Sequence, residues 1–206
     1  MDRIGVKKAS IMGFSTGGGI AQVAMCRLKE RLNSAVLCSS SFDLLPSEMP
    51  FENPRLQELM AAAASVGPEA SKEERVKALL PSMMAMFEVS ESDPWRETLR
   101  RGIEEDAERG WVDVYGGLNP FAMLAWAGFA RTHEGHVERL RQNEVPCLVV
   151  AGKQDPLVPY RQGERLAEHT GRCTFLSHDH GHILGPLESR GELLDAIADF
   201  VKEHSE

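Results

Sequence analysis

Four short runs of consecutive apolar residues limit what this chain can fold into. The runs lie at 9–13, 35–39, 147–151 and 173–177. A strand with one face in water would alternate apolar and polar residues, so each run predicts a strand that is buried on both faces. Helical patterns accompany the runs, at 17–31, 160–169 and 192–203. Strands that alternate with helices predict an α/β fold with a parallel sheet of about four strands.

The middle of the chain, residues 43–143, has a different pattern and contains no convincing strand. Its apolar residues recur at helical spacing in five segments, at 56–66, 72–87, 94–109, 120–130 and 133–142. An insertion of about 100 residues is too long for a single crossover between parallel strands. We therefore predict a helical cap at 43–143, between core segments at 1–42 and 144–206. Trp126 either packs this cap or lines a substrate pocket.

Residues 13–17 read Gly-Phe-Ser-Thr-Gly, which is the pattern G-x-S-x-G, placed between a predicted strand and a predicted helix. We expect Gly13 and Gly17 to avoid clashes with the backbone of a sharp turn that holds Ser15 exposed and strained. The N–H of Thr16 then lies at the start of a helix, where it can stabilise a developing oxyanion. A phosphate-binding turn is the alternative, but neither nucleotide-binding glycine pattern is present.

An acid and a base follow in the last third of the chain. Asp155 comes directly after the third apolar run, and His182 lies between the fourth run and the last helical pattern. Ser15, Asp155 and His182 thus all follow the ends of predicted strands, where open α/β sheets place their sites.

Three segments carry a family resemblance. They are the turn at 13–17, the run G-K-Q-D-P-L-V-P at 152–159, and the run H-G-H-I-L-G-P-L-E-S at 180–189. With them the sequence resembles the α/β-hydrolase superfamily, in its capped esterase, lactonase and C–C hydrolase branch. The resemblance implies that Ser15 is the nucleophile, His182 the base, Asp155 the orienting acid and the Thr16 N–H an oxyanion donor. It also implies hydrolysis of a carboxylic ester, lactone or related carbonyl compound through an acyl-enzyme, without a cofactor.

Several alternatives stay open at this point. Asp43, after the second run, is a rival acid, and the histidines of segment 178–182 could suggest a metal site, although no second cluster completes one. His133 and His136 lie in a charged helical pattern and are expected at the surface. The same triad also serves acyltransferases and cofactor-free haloperoxidases. A weak or inactive hydrolase remnant that binds a partner is a further possibility.

Charge and cysteine usage limit the partners and the compartment. The net charge of −8 argues against nucleic acid and anionic membranes, since both attract basic faces. The four cysteines form no C-x-x-C pair and are interpreted as core thiols in a reducing compartment: Cys26, Cys38, Cys147 and Cys173. Neither a signal peptide nor a membrane span is evident, so we expect a cytoplasmic protein. The resemblance implies a small-molecule substrate.

The G-x-S-x-G turn at 13–17 lies very near the first residue of the sequence. Members of the superfamily carry about 80 to 100 residues before it, which supply four strands, two helices and the loop with a second oxyanion donor. Here Met1 to Lys8 resembles only the end of the preceding helix. We therefore expect the first strand at a sheet edge, where an apolar strand favours self-association. A misassigned start, a fragment, or a sheet completed by another chain would each explain this.

Overall fold

A computed structural model describes residues 1–42, 58, 61–62, 65–66, 70–87, 89–108, 135–182 and 187–205. Its sheet has four parallel strands in the order β1-β2-β3-β4, and the prediction of a parallel α/β sheet is confirmed. The strands are β1 (Ala9–Phe14), β2 (Leu32–Cys38), β3 (Cys147–Gly152) and β4 (Cys173–His178). Each overlaps one of the apolar runs.

The described helices follow the predicted pattern, with shifted ends. They are α1 (Thr16–Arg27), α2 (Lys72–Phe87), α3 (Trp95–Glu108), α4 (His136–Arg141), α5 (Tyr160–His169) and α6 (Leu187–Glu203). The first is shorter than predicted, because a separate 3₁₀ turn occupies Lys29–Arg31. The last begins at Leu187, before the predicted residue 192. Its first residues are mostly polar, so the apolar pattern does not reveal them.

Both faces of β2 and β3 are buried, which explains their unbroken apolar runs. Leu37 and Val149 pack on one face in a core that includes Met25 of α1 and Leu166 of α5. The next residues along the strands point to the other face, where the core contains residues of α6. That second cluster consists of Val36, Cys38, Leu148, Val150, Leu193 and Ile197. A parallel sheet covered on both faces has this burial.

The chain divides into two compact units, one formed by Met1–Met49 with Ala130–Glu206 and the other by Pro50–Phe129. Within the second unit, α2 and α3 pack through an apolar cluster of Leu79, Leu80, Met83, Met84, Leu99 and Ile103. The cap at 43–143 remains a prediction. Asp43, Trp126 and His133 lie outside the described residues.

Cys38 and His136 are both buried, which agrees with the prediction of a core thiol for Cys38 but not with the surface position expected for His136. Cys38 is fully buried in the sheet, and this burial raises the pKa of its thiol to about 12, as a core thiol requires. The surface position expected for His136 is wrong, because the residue is only 6% exposed and its Nε2 lies 3.1 Å from Gln22 Oε1.

In the part of the chain that the structure describes, no helix is long and apolar enough to cross a membrane.

Candidate active site

Ser15 occupies the turn between β1 and α1. Its backbone angles, φ 53° and ψ −120°, lie in a region that residues with a side chain rarely adopt. Its N–H donates to the carbonyl of Cys38 at 2.8 Å, which fastens the turn to the end of β2. Ser15 precedes the helix as its N-cap, yet its hydroxyl makes no capping hydrogen bond. The hydroxyl therefore does not cap the helix.

The close approaches at this turn involve Gly13 and Gly18. A Cβ at Gly13 would lie 2.3 Å from the carbonyl oxygen of Gly17, and a Cβ at Gly18 would lie 2.4 Å from the side chain of Ser40. At Gly17 a Cβ would meet nothing within 4 Å. The expectation that Gly13 and Gly17 share the steric role is therefore wrong for Gly17, because the helix directs its missing Cβ into open space.

The structure brings Asp155 and His182 into direct contact. Asp155 Oδ2 lies 2.8 Å from His182 Nδ1, and the two side chains are only 1% and 5% exposed. The other carboxylate oxygen, Oδ1, accepts the N–H groups of Leu157 and Val158, each at 2.8 Å. The two backbone N–H groups fix the carboxylate so that it faces His182 Nδ1. In the neutral imidazole that donates from Nδ1, Nε2 is an acceptor.

The loop that carries His182 is held by its neighbours. Lys153 N–H donates to the carbonyl of His178 at 2.9 Å, and Gln154 N–H donates to that of His180 at 3.2 Å. A Cβ at Gly152 would lie 2.3 Å from the carbonyl oxygen of His180. A glycine at the end of β3 is therefore needed for this close passage, and sequence reasoning missed it, although a glycine between a buried strand and an acid is a usable signal.

Ser15 follows the end of β1, and His182 lies in the loop after β4. The ring of Phe14 packs edge-on against the His182 imidazole, with centroids 5.1 Å apart. Within the described ranges no hydrogen bond joins the Ser15 hydroxyl to His182. Catalytic hydrogen bonds are often long in ligand-free structures and shorten when substrate binds.

Thr16 begins α1 and is exposed. The first N–H groups of a helix have no carbonyl partner within it, so the Thr16 amide points its dipole out of the helix start, beside Ser15. This placement fits an oxyanion donor next to the predicted nucleophile.

The other histidines near His182 have structural contacts of their own. His180 N–H donates to His178 Nδ1 at 3.3 Å, while Asp179 accepts from Lys153 Nζ at 2.6 Å at the surface. That hydrogen bond lowers the pKa of Asp179 and raises the pKa of Lys153. Among the described residues, no three His, Cys, Asp or Glu side chains are placed together so that they could hold a metal ion.

Sequence comparison provides the family. Residues 1–186 match the profile of the alpha/beta hydrolase fold. The chain belongs to the α/β-hydrolase family. A comparison with curated proteins gives no match.

Solved structures of α/β hydrolases resemble this one at low sequence identity. The 2-hydroxy-6-oxo-6-phenylhexa-2,4-dienoate hydrolase of Rhodococcus sp. strain RHA1 is 22% identical, with a TM-score of 0.72 over 99% of this chain and 66% of that one. The meta-cleavage product hydrolase of Pseudomonas fluorescens is 19% identical (TM-score 0.67, 100% and 68% covered). The enol-lactonase of Burkholderia xenovorans is 18% identical (TM-score 0.64, 98% and 68% covered). The chain thus spans about two thirds of their length and shares their fold.

Proposed function

We propose that this α/β hydrolase cleaves a carboxylic ester, a lactone or a related carbonyl compound through an acyl-enzyme on Ser15. The observation that carries the proposal is the buried contact between Asp155 Oδ2 and His182 Nδ1. A neutral imidazole that donates its Nδ1 proton to this carboxylate presents Nε2 as an acceptor. A neutral imidazole held in this tautomer is a general base. Buried carboxylate–histidine pairs also occur as structural contacts, but this one lies beside the strained turn of a G-x-S-x-G motif.

The chemistry follows from these placements. Ser15 Oγ attacks the substrate carbonyl carbon while His182 Nε2 takes the hydroxyl proton, and the Thr16 N–H stabilises the resulting oxyanion. The bond from the carbonyl carbon to the leaving group then breaks, and His182 returns the proton to the departing atom. Water attacks the acyl-enzyme by the same sequence and frees the acid. The Asp155 carboxylate stabilises the imidazolium in both steps.

The names of the similar structures leave the substrate open. They include a meta-cleavage product hydrolase, an enol-lactonase and a thermophilic esterase. These names share hydrolysis, so the proposal is made at the level of the reactive carbonyl group. Product analysis with competing acceptors separates hydrolysis from acyl transfer.

A fluorophosphonate probe tests the proposal directly. It phosphonylates an activated serine and releases fluoride, and we expect one label per chain, located on Ser15 by peptide mass spectrometry. Ser15→Ala should abolish labelling, because it removes the hydroxyl that the proposal assigns as the nucleophile. Ser205→Ala, which changes a hydroxyl at the far C-terminus, is the matched control and should label like the native chain.

Absence of label on the folded native chain, or equal labelling of Ser15→Ala, would show that the catalytic proposal is wrong. Circular dichroism of each variant establishes that the fold is intact.

The position of β1 at the end of the sheet in the described part of the chain favours a second, non-catalytic role, self-association. Met12 lies in the middle of this edge strand and is 51% exposed. An apolar strand edge presents unpaired backbone groups to other chains. We expect Met12→Lys to weaken self-association at least about tenfold, since the new charge would have to be buried with the strand. Sedimentation equilibrium measures the change.

Leu194→Lys is the control for this prediction. Leu194 is an exposed apolar side chain similar in size to Met12 and is 45% exposed, but it lies on α6. If both lysine variants associate like the native chain, the β1 edge is not an interface.

A further inference from the structure

Ser39, which follows β2, makes a buried contact with the residue that carries the proposed base. Its hydroxyl donates to the main-chain carbonyl of His182 at 2.6 Å, and Ser39 is only 2% exposed. This distance is at the short end for an O–H···O hydrogen bond. Asp155 holds the imidazole ring of His182, whereas Ser39 holds its backbone.

The neighbouring residue holds the proposed nucleophile. The carbonyl of Cys38 accepts the N–H of Ser15 at 2.8 Å, and Cys38 is fully buried in the sheet. Ser39 N–H donates in turn to the carbonyl of Val150 on β3 at 2.9 Å. Two consecutive residues therefore connect the backbones of Ser15 and His182 to the same rigid strand end.

The backbone of Ser39 is adapted to this contact. Its φ is 46°, in the left-handed region that a residue with a Cβ adopts only when its surroundings require it. The strand ends at Cys38, and this conformation turns the chain so that the hydroxyl of Ser39 meets the histidine loop. Glycine would adopt the same conformation more easily, but it has no hydroxyl to donate.

We propose that Ser39 is a positioning residue that sets the location of His182 relative to Ser15. The inference rests on the proposed function, since it assigns Ser39 to the same triad. Ser39 acts through the backbone of His182 and does not touch the substrate. Misplacement of a catalytic group by about 1 Å can slow a reaction about a hundredfold. Loss of this one anchor, with Asp155 still in place, should therefore slow acylation between about ten- and a hundredfold.

The test compares three serine variants of the full chain. Ser39→Ala and Ser39→Gly both remove the hydroxyl, but glycine also relieves the left-handed backbone. Ser34→Ala is the matched control, because Ser34 is a fully buried serine of β2, the strand that Ser39 follows, and its hydroxyl donates to Ser10 Oγ at 2.8 Å. We expect both Ser39 variants to react with the fluorophosphonate about ten- to a hundredfold more slowly, and Ser34→Ala to react at the native rate.

A second readout does not depend on catalysis. The His182 Nδ1 proton, hydrogen-bonded to Asp155, gives a downfield proton NMR signal that reports the placement of the imidazole. It should shift or broaden in both Ser39 variants and stay unchanged in Ser34→Ala. If the native chain is not labelled at Ser15 but this signal responds to Ser39, positioning stands and the hydrolase proposal fails.

Three outcomes would overturn the inference. The first is native labelling rates and native NMR signals in both Ser39 variants. The second is recovery of the native labelling rate in Ser39→Gly alone, which would assign the effect to backbone strain rather than to the hydroxyl. The third is an equal loss of labelling rate in Ser34→Ala, which would mean that loss of stability explains the effect.

Discussion

Asp155→Asn is expected to lower the rate of Ser15 acylation by about 10⁴, the size of effect measured for the equivalent change in a serine protease. The amide of asparagine has one oxygen and one NH₂ group. The backbone N–H groups of Leu157 and Val158 donate to the Oδ1 position and will continue to donate to the amide oxygen. The NH₂ group must then face His182 Nδ1 and donate to it. The imidazole proton moves to Nε2, which can no longer accept the proton of Ser15.

The measurement is the second-order rate of fluorophosphonate labelling, or kcat/KM for an activated aryl ester once one is found. Asp179→Asn is the control, since Asp179 is a surface carboxylate paired with Lys153, and it should keep the native rate. Asp43→Asn tests the rival acid. A large loss in Asp43→Asn together with a loss below tenfold in Asp155→Asn would move the acid to Asp43.

Gly13→Ala is expected to lower the free energy of unfolding by about 3 kcal/mol and to abolish labelling of Ser15. The added methyl would lie 2.3 Å from Gly17 O, 2.6 Å from Gly17 C and 2.7 Å from Gly18 Cα. All three are backbone atoms at the start of α1, so no side-chain rotation can relieve the contact. The strand and the helix must separate, and the turn that presents Ser15 is lost.

Gly17→Ala is the matched variant from the same five-residue motif. Its methyl would enter open space, and alanine favours a helix over glycine by up to about 1 kcal/mol, so we expect unchanged or slightly increased stability. Urea denaturation of both variants gives the two free energies. Equal destabilisation by Gly13→Ala and Gly17→Ala would contradict the close approach of Gly13 to the backbone of Gly17 and Gly18.

The strands of this fold could be predicted because their apolar residues are consecutive, which few other structures require. Asp155 and His182 could be predicted as partners because both follow strand ends, although they are far apart in sequence. Ser39 could not, since a serine after an apolar run has no pattern that reveals a positive φ or a hydrogen bond to a carbonyl 143 positions away. Such contacts depend on how loops pass one another, which local sequence does not encode.

Two errors have the same origin. The motif presents Gly13 and Gly17 as equivalent, but whether a Cβ fits depends on the direction of each Cα–Cβ bond in three dimensions. His136 is surrounded in sequence by charged residues, yet it is buried against Gln22, 114 positions earlier in the chain. For Gly13 the deciding neighbour is the backbone at the start of α1, and for His136 it is a side chain of α1, against which α4 packs.

The parallel pairing of β2 with β3 joins strands that are separated in the chain by residues 39–146. Closing so long a loop costs conformational entropy, but this cost grows only with the logarithm of loop length. Doubling the length of the loop adds about 0.6 kcal/mol. The sheet therefore places little thermodynamic constraint on the length of the intervening segment. Insertions and deletions there can accumulate in evolution while the strand ends that hold Ser15, Asp155 and His182 keep their register.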